Sequence, residues 1–384
     1  MEAAAKKIFV AMSGGVDSSV TAALLKEQGR DVTGIFMKNW SDSAFLKDTT
    51  MCPWVADQED ARKAAAVIGI PLYTFDFEKE YREKVVAYMI AGYKAGITPN
   101  PDVMCNKEIK FGLFLQKALE LGADFVATGH YVRLRRNDEF RISNFEIDSK
   151  LKIQNSKLGC QLLQAKDRNK DQSYFLWTLT QEQLKYCVFP IGEYTKPEVR
   201  EMARKYGLHN AQKKDSQGVC FVGDLDVFEF LKSQIPTHKG KIMTASGREV
   251  GEHEGVEFYT IGQRHGIGSP GGGTAYYVVG KDAKKNILYV GEGADDKELY
   301  GMALEARAAH WISGNEPELP LRCEARIRYR QSLQKCIVNS LFHVSRFMFH
   351  VEFDEPQRAI TPGQSVVFYD GDTVLGGAVI VQKV

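Results

Sequence analysis

Strand-like and helix-like segments alternate along the first half of the chain, and no other feature of the sequence restricts the fold as much. Lys7 to Met12 (KIFVAM) reads as a buried strand, and Asp17 to Gln28 as a helix stopped by Gly29. Val32 to Met37 reads as a second strand. Asp57 to Ile68 reads as a helix with Ala61, Ala64, Ala65 and Ile68 on one face, closed by Gly69 and Pro71. A third strand is expected at Leu72 to Phe77, helices at Glu78 to Ala91 and Lys107 to Leu121, and a fourth strand at Asp124 to Thr128. A basic helix follows from Lys196 to Tyr206, ended by Gly207. Strands separated by helices imply βαβ units and a parallel sheet, hence an α/β domain.

The texture changes further on. Residues 137–161 are polar and rich in Asn, Ser and Lys, as in a surface insertion or long hairpin. From about residue 218 glycines become dense and strand signals short: Glu257 to Ile261, Ala275 to Val279, Ile287 to Val290. The last part reads as all-β, with turns expected at Gly363, Asp370-Gly371 and Gly376-Gly377. The expected layout is an α/β domain over 1–217, a small β-rich central domain over 218–297, and a C-terminal β-barrel over 298–384. That division suits 384 residues at roughly 150 per domain.

Charge excludes some classes. Fifty Lys and Arg against 49 Asp and Glu leave a net charge of +1. That balance argues against a highly charged disordered chain and against binding polyanions by bulk charge, but leaves room for a local basic patch. No apolar run approaches the ~20 residues of a membrane helix, and Met1 to Val10 lacks a signal-peptide core. The seven cysteines form no CxxC pair and no metal-like cluster. They suit a reducing cytoplasmic setting, with no resident metal ligated by the protein alone.

Ser13-Gly14-Gly15-Val16-Asp17-Ser18-Ser19 lies between the first strand and first helix. Glycines there let backbone N–H groups approach a phosphate, the helix N-terminus adds partial positive charge, and the serines add hydroxyl donors. No lysine follows as in a Walker A loop, and the spacing is not GxGxxG. A tight structural turn would account for the glycines alone; the whole string is more specific and points to a nucleotide. It resembles the loop of the PP-loop ATP pyrophosphatases, which binds the pyrophosphate of ATP. The resemblance implies that Ala11, Met12, Ser13, Gly14, Gly15, Val16, Asp17 and Ser18 hold ATP, with Asp17 positioning Mg2+ or the phosphates. It further places Met37 at the adenine and Gly129-His130 at a second nucleotide-contacting turn.

Two cysteines stand in distinctive surroundings. Cys105 follows Asn100-Pro101-Asp102-Val103-Met104, just before the helix expected from Lys107. A helix N-terminus lowers a thiol pKa from ~8.5, Lys107 and Lys110 would help, and Asp102 could shuttle a proton. Cys220 lies in Asp215-Ser216-Gln217-Gly218-Val219-Cys220-Phe221, after Lys213-Lys214. A lone cysteine is more often a small buried hydrophobe, and that expectation is applied to Cys52, Cys160, Cys187, Cys323 and Cys336.

NPDxxCN and DSQGxCF together resemble the bacterial tRNA-specific 2-thiouridylases, or tRNA-uridine 2-sulfurtransferases. Further matching segments are Gly129-His130-Tyr131, Lys170-Asp171-Gln172-Ser173-Tyr174-Phe175, Tyr259 to Gly268, Arg328-Tyr329-Arg330-Gln331 and Pro362-Gly363-Gln364. The resemblance covers nearly the whole chain and departs at the 137–161 insertion. It implies ATP-dependent 2-thiolation of a wobble uridine in tRNA, with Lys, Glu and Gln acceptors. Cys220 would carry sulfur as a persulfide from a relay protein or cysteine desulfurase. Cys105 would complete the transfer through a transient Cys105–Cys220 disulfide, either releasing sulfide or resolving a direct persulfide attack. Asp102 is the expected acid or base, and Asn100 and Pro101 shape the pocket around an extruded base. A monomer is the simplest expectation.

The implied tRNA contacts are His130, Lys170, Asp171, Gln172, Arg328, Tyr329, Arg330 and Gln364, beside Asn100, Pro101 and Asp102. One is also readable by pattern. From Arg322 to Arg330 the even positions read Arg, Glu, Arg, Arg, Arg and the odd ones Cys, Ala, Ile, Tyr. A strand would put these on opposite faces. An ordinary solvated face looks similar, but the arginine excess favours a phosphate-contacting surface. The Lys196 to Lys205 helix and Arg133, Arg135 and Arg136 are further candidates. Another PP-loop ligase would need no paired cysteines, and a non-catalytic RNA-binding protein or sulfur carrier would leave SGGVDSS without a purpose.

Overall fold

The computed structural model describes residues 5–41, 53–136, 159–214, 226–267, 274–341 and 348–384. The N-terminal sheet is built on β1 (Lys7–Ala11), which leads through the glycine loop into α1 (Val16–Glu27). Then come β2 (Asp31–Lys38), α2 (Pro53–Ile68), β3 (Leu72–Asp76) and β4 (Phe125–Thr128). The strands pair in the order β3, β2, β1, β4 and the short Cys187–Val188 strand, all parallel. β1 shows why both faces are covered. Ile8 and Val10 pack with Val20, Leu24 and Ala64 on one side, while Phe9 and Ala11 pack with Ile35, Met37 and Phe114 on the other. A strand buried on both faces reads as a continuous apolar run.

The chain order reverses between β1 and β4, and in open α/β sheets ligands bind beyond the strand ends at such a point. The glycine loop follows β1, and Gly129-His130 follows β4.

The helix expected from Lys107 begins earlier, at Pro101. Asn100 caps it by accepting from Val103 N at 3.2 Å, and Pro101 suits the first turn, where no amide hydrogen is required. The run continues as a wide π-helical stretch, Cys105–Phe114, then as α-helix to Glu120. π segments are frequent at functional sites. Thr180 and Gln183 form the capping box their spacing suggests.

The central part holds a four-stranded sheet of Tyr276–Asp282, Ile287–Glu292, Gly240–Thr244 and Glu249–His253. The strand expected at Glu257 to Ile261 is instead a short 3-10 turn, Val256–Phe258, followed by a bend. There the Gln263 side chain accepts from Thr260 N at 3.0 Å, replacing a ladder bond.

The last part is a closed six-stranded barrel. Its strands are Tyr300–Trp311, Met348–Arg358, Gln334–Ser340, Leu321–Arg326, Ser365–Asp370 and Thr373–Lys383, the last pairing back with the first. Asp370 and Thr373 flank the expected hairpin turn at Gly371. Gly376-Gly377, expected as a turn, lies inside the closing strand. A Cβ on Gly376 would stand 2.1 Å from the His310 carbonyl, so glycine serves close backbone approach here. The arms Val132–Arg136 and Cys160–Gln164 form an antiparallel hairpin joined to this strand, and residues 137–158 between them lie outside the described residues. Cys160, Cys187, Cys323 and Cys336 are buried as expected; Cys52 lies outside the described residues. No described helix is long and apolar enough to cross a membrane.

Candidate active site

The glycine loop is shaped by its own hydroxyls. Ser18 Oγ accepts from Ser13 N at 3.2 Å and donates to Gly15 O at 3.1 Å, and Ser19 Oγ donates to the same carbonyl at 3.0 Å. Gly14 has φ +76°, and a Cβ there would lie 2.2 Å from the Asp57 carbonyl. Gly15 precedes α1 without a side-chain cap, which leaves the first-turn amides to a ligand. Gly129 meets the same helix start: a Cβ on it would come within 2.7 Å of Ser18 N. The two turns after β1 and β4 therefore pack backbone against backbone.

Asp17 anchors the mouth of the loop. Lys196 Nζ donates to its two carboxylate oxygens at 2.8 and 2.9 Å, and Tyr131 Oη donates to Oδ1 at 2.9 Å. On the other flank Asn210 Nδ2 donates to Gly14 O and Ser19 Oγ, both at 3.0 Å. Lys213 Nζ reaches Asp57 and Asp60 at 2.7 Å and Gly14 O at 3.4 Å. Burial opposes the Lys213 charge, but the bonds to Asp57 and Asp60 outweigh it and raise its pKa. The sequence reading did not assign these roles to Lys196, Asn210 or Lys213. One signal existed: Lys196 opens a helix, where a cation faces the positive end of the dipole and is electrostatically misplaced unless it has an anionic partner. Asn39, just past β2, was also missed; its amide is buried with no hydrogen-bond partner among the described residues.

Met37 is buried in the core beneath the sheet's strand ends, together with Cys105. Cys105 is fully buried four residues past the helix start rather than ahead of it, because the helix starts at Pro101. Lys107 is exposed beside Glu108, and Lys110 instead points at the turn after β4, with Nζ 3.5 Å from His130 Nε2. His130 Nδ1 lies 2.7 Å from Thr128 Oγ1, and Phe111 and Phe189 rings flank the imidazole. Burial, reinforced by Lys110, holds its pKa well below the ordinary histidine value. Asp102 and Pro101 are half-buried on the same turn as Cys105. Cys220 and the whole DSQGVCF segment lie outside the described residues.

The expected RNA contacts divide. Lys170 is half-buried, while Arg330 is exposed, with its guanidinium over the Tyr329 ring, which packs on Phe175. Asp171 is buried. Its carboxylate accepts from Ala165 N at 2.9 Å, Ser173 Oγ at 2.8 Å and Arg326 Nη1 at 3.1 Å. Gln172 Oε1 accepts from Tyr131 N at 3.0 Å. The basic stripe from Arg322 to Arg330 is not a single solvent-facing surface. The strand ends at Arg326, which is buried against Asp171, and Arg328 donates inward to the Ile261 and Ala359 carbonyls. Arg133 binds Asp372, Arg136 the carbonyl of Cys187, and Arg200 that of Ala211, so these arginines also have internal partners. A one-strand pattern cannot show which arginines a neighbouring domain covers.

Residues 6–224 match the family described as tRNA methyl transferase HUP domain. A relative from Geobacillus thermodenitrificans (strain NG80-2), named tRNA-specific 2-thiouridylase MnmA, is 48% identical over 374 residues, 97% of this chain and 94% of its own. The chain belongs to the tRNA-specific 2-thiouridylase family. A second relative of that name, from Streptococcus mutans serotype c (strain ATCC 700610 / UA159), is 49% identical over 378 residues, 97% of this chain and 95% of its own. Residues 228–292 and 302–380 match the tRNA methyl transferase PRC-barrel and aminomethyltransferase beta-barrel domains. The U34-tRNA thiolase NcsA from Methanococcus maripaludis is 16% identical with TM-score 0.34, over 60% of this chain and 67% of its own, too slight a likeness to argue from. Membership accounts for the parallel sheet, the central domain and the terminal barrel together.

Proposed function

We propose that this chain replaces O2 of a tRNA wobble uridine with sulfur, at the expense of ATP. One contact chain carries the reading. The Cys105 helix reaches His130 through Lys110, and the adjacent Gly129 abuts Asp17 and Ser18 of the phosphate loop. These contacts support reading the thiol and the glycine-loop backbone as one site.

Uridine O2 is a poor leaving group. It attacks the α-phosphorus of ATP, the bond to the β-phosphate breaks, and pyrophosphate departs. The amides of Gly14, Gly15 and the first turn of α1 receive the pyrophosphate, since a helix N-terminus favours negative charge. Mg2+ needs only one or two carboxylates besides phosphate oxygens. Asp17, at the loop mouth with 29% of its side chain exposed, fits that demand. The ion would supply charge neutralisation on the phosphates. Sulfur arrives as a persulfide on Cys220. Cys105 attacks its inner sulfur, releasing sulfide to displace AMP and leaving a Cys105–Cys220 disulfide. Alternatively the persulfide attacks C2 first and Cys105 resolves the adduct; both routes end in the same disulfide and AMP. Asp102, on the Cys105 turn, moves the proton. The buried thiol requires the base to enter the pocket, as in enzymes that extrude a nucleotide.

The test combines the protein with ATP, Mg2+, a cysteine desulfurase with cysteine as the persulfide donor, a thiol reductant to reopen the disulfide, and unmodified tRNA, then digests the RNA and assays 2-thiouridine by mass spectrometry with AMP counted alongside. Equimolar thiouridine and AMP are expected. AMP without thiouridine, with folded protein and competent tRNA, would overturn the sulfur acceptor.

A further inference from the structure

Thr98, Pro99 and Asn100 immediately precede the turn that carries Asp102 and Cys105, and three parts of the chain meet there. From the barrel, Pro362 O accepts from Thr98 N at 2.9 Å. Gln364 Nε2 donates to Thr98 O at 2.9 Å and to Pro99 O at 3.1 Å, so both amide hydrogens are occupied inside the protein. Gly363, at φ +90°, lies so close that a Cβ would stand 2.8 Å from Thr98 O. From the central part, Thr260 Oγ1 lies 3.2 Å from Thr98 Oγ1. Arg328 ties the two partners to each other, donating to Ile261 O at 3.3 Å and Ala359 O at 3.2 Å and bonding Thr361. Tyr174 Oη adds a bond to Ser365 O at 3.0 Å and meets the Asn100 side chain. Thr98 and Asn100 are buried.

We infer that Gln364 is a positioning residue for sulfur transfer. Its amide fixes the two carbonyls before the Asn100 cap, and the cap sets where the Asp102–Cys105 turn begins. Gly363 allows the approach, and Arg328 holds the central and barrel surfaces at a common spacing behind it. The sulfur-transfer geometry then exists only when barrel and central domain are both seated on the N-terminal domain. On this account the residue's main effect on tRNA chemistry runs through Cys105 rather than through contact with RNA. The inference rests on the sulfur-transfer reading above, but one arm of its test does not.

The variants are Gln364→Glu, which keeps shape and loses both donors, and Gln364→Met, which keeps length without a buried charge. Each is checked by thermal melting. Three quantities are measured: tRNA affinity by filter binding, single-turnover thiolation at saturating tRNA and ATP, and hydrogen exchange of the peptide spanning 97–106. The expected result is a tRNA Kd within about 2-fold of wild type, a saturated rate lower by about 10- to 100-fold, and faster exchange at 98–104; misplacement by ~1 Å costs on the order of 100-fold. A weakened tRNA Kd with unchanged saturated rate and exchange would overturn the inference and make Gln364 an RNA contact. If wild type itself makes no thiouridine, the functional reading fails while the exchange result still decides the positioning. Unchanged exchange in a folded Gln364→Met protein overturns it in either case.

Discussion

Asp17 is held by a lysine 179 positions away and by the Tyr131 hydroxyl. Lys196 brings an ammonium to the start of the helix that follows the glycine loop. Lys196→Met is expected to lower tRNA-dependent AMP formation by about 100-fold, the usual scale for one lost charge-stabilising donor, with tRNA affinity unchanged; an unaltered rate would remove Lys196 from the site. The serines and glycines of the loop were legible because their chemistry is local. The Lys196 and Lys213 partnerships were not, because they arise only when the sheet brings distant segments together. His130 gives a pH signature. Burial keeps it neutral in the folded state, with a pKa well below 6.5, whereas an unfolded chain protonates near ~6.5. Below that value the unfolded state binds a proton that the folded state refuses, so stability falls as pH drops from about 7 towards 5. The urea midpoint of a His130→Gln protein should depend less on pH over that window; an equal slope would contradict the assignment.

Elements were legible where local signals agreed and obscure where a side chain replaced a backbone partner. β1 and α1 stand where the apolar run and Gly29 put them. The helix start at Pro101 was hidden because an Asn-Pro-Asp string reads equally as a turn, and only the Asn100 bond to Val103 N shows it as a cap. Asn100→Ala should cost about 1 kcal/mol from that cap, measured by chemical denaturation, with a larger proportional loss in thiolation than in AMP release. The two loop glycines should differ. Gly14→Ala combines positive φ with a 2.2 Å approach to a carbonyl, whereas a Cβ on Gly15 meets its nearest atom at 3.4 Å. Gly14→Ala is therefore expected to abolish ATP binding in calorimetry while Gly15→Ala retains it. Equal behaviour would mean that the loop adapts its backbone more than its packing suggests.

Across the whole molecule, the parts are joined by polar contacts that single-strand patterns do not disclose. Arg326 looked like one of a row of phosphate ligands. It is instead a buried partner of Asp171, stacked 4.8 Å over Tyr369, and it ties the barrel to the segment that supports Tyr131. Removing one member of a buried pair leaves an uncompensated charge and costs about 3–5 kcal/mol. Asp171→Ala should lower the urea midpoint accordingly, and adding Arg326→Met should recover part of the loss; additive losses would show that the two residues are not coupled. Domain number and order could be read from composition and glycine density, but the way the domains lock together could not. The Gln364 amide reaches a carbonyl 266 positions earlier. During synthesis the five-stranded sheet has all its strands once Val188 has emerged, and domains generally fold from the N-terminus. Thr98 and Pro99 must wait until Gln364 has emerged. A nascent or truncated chain thus possesses a phosphate cradle before it possesses a framed thiol. Translation would then set an order of maturation: the glycine loop first, the frame behind Cys105 only after the barrel.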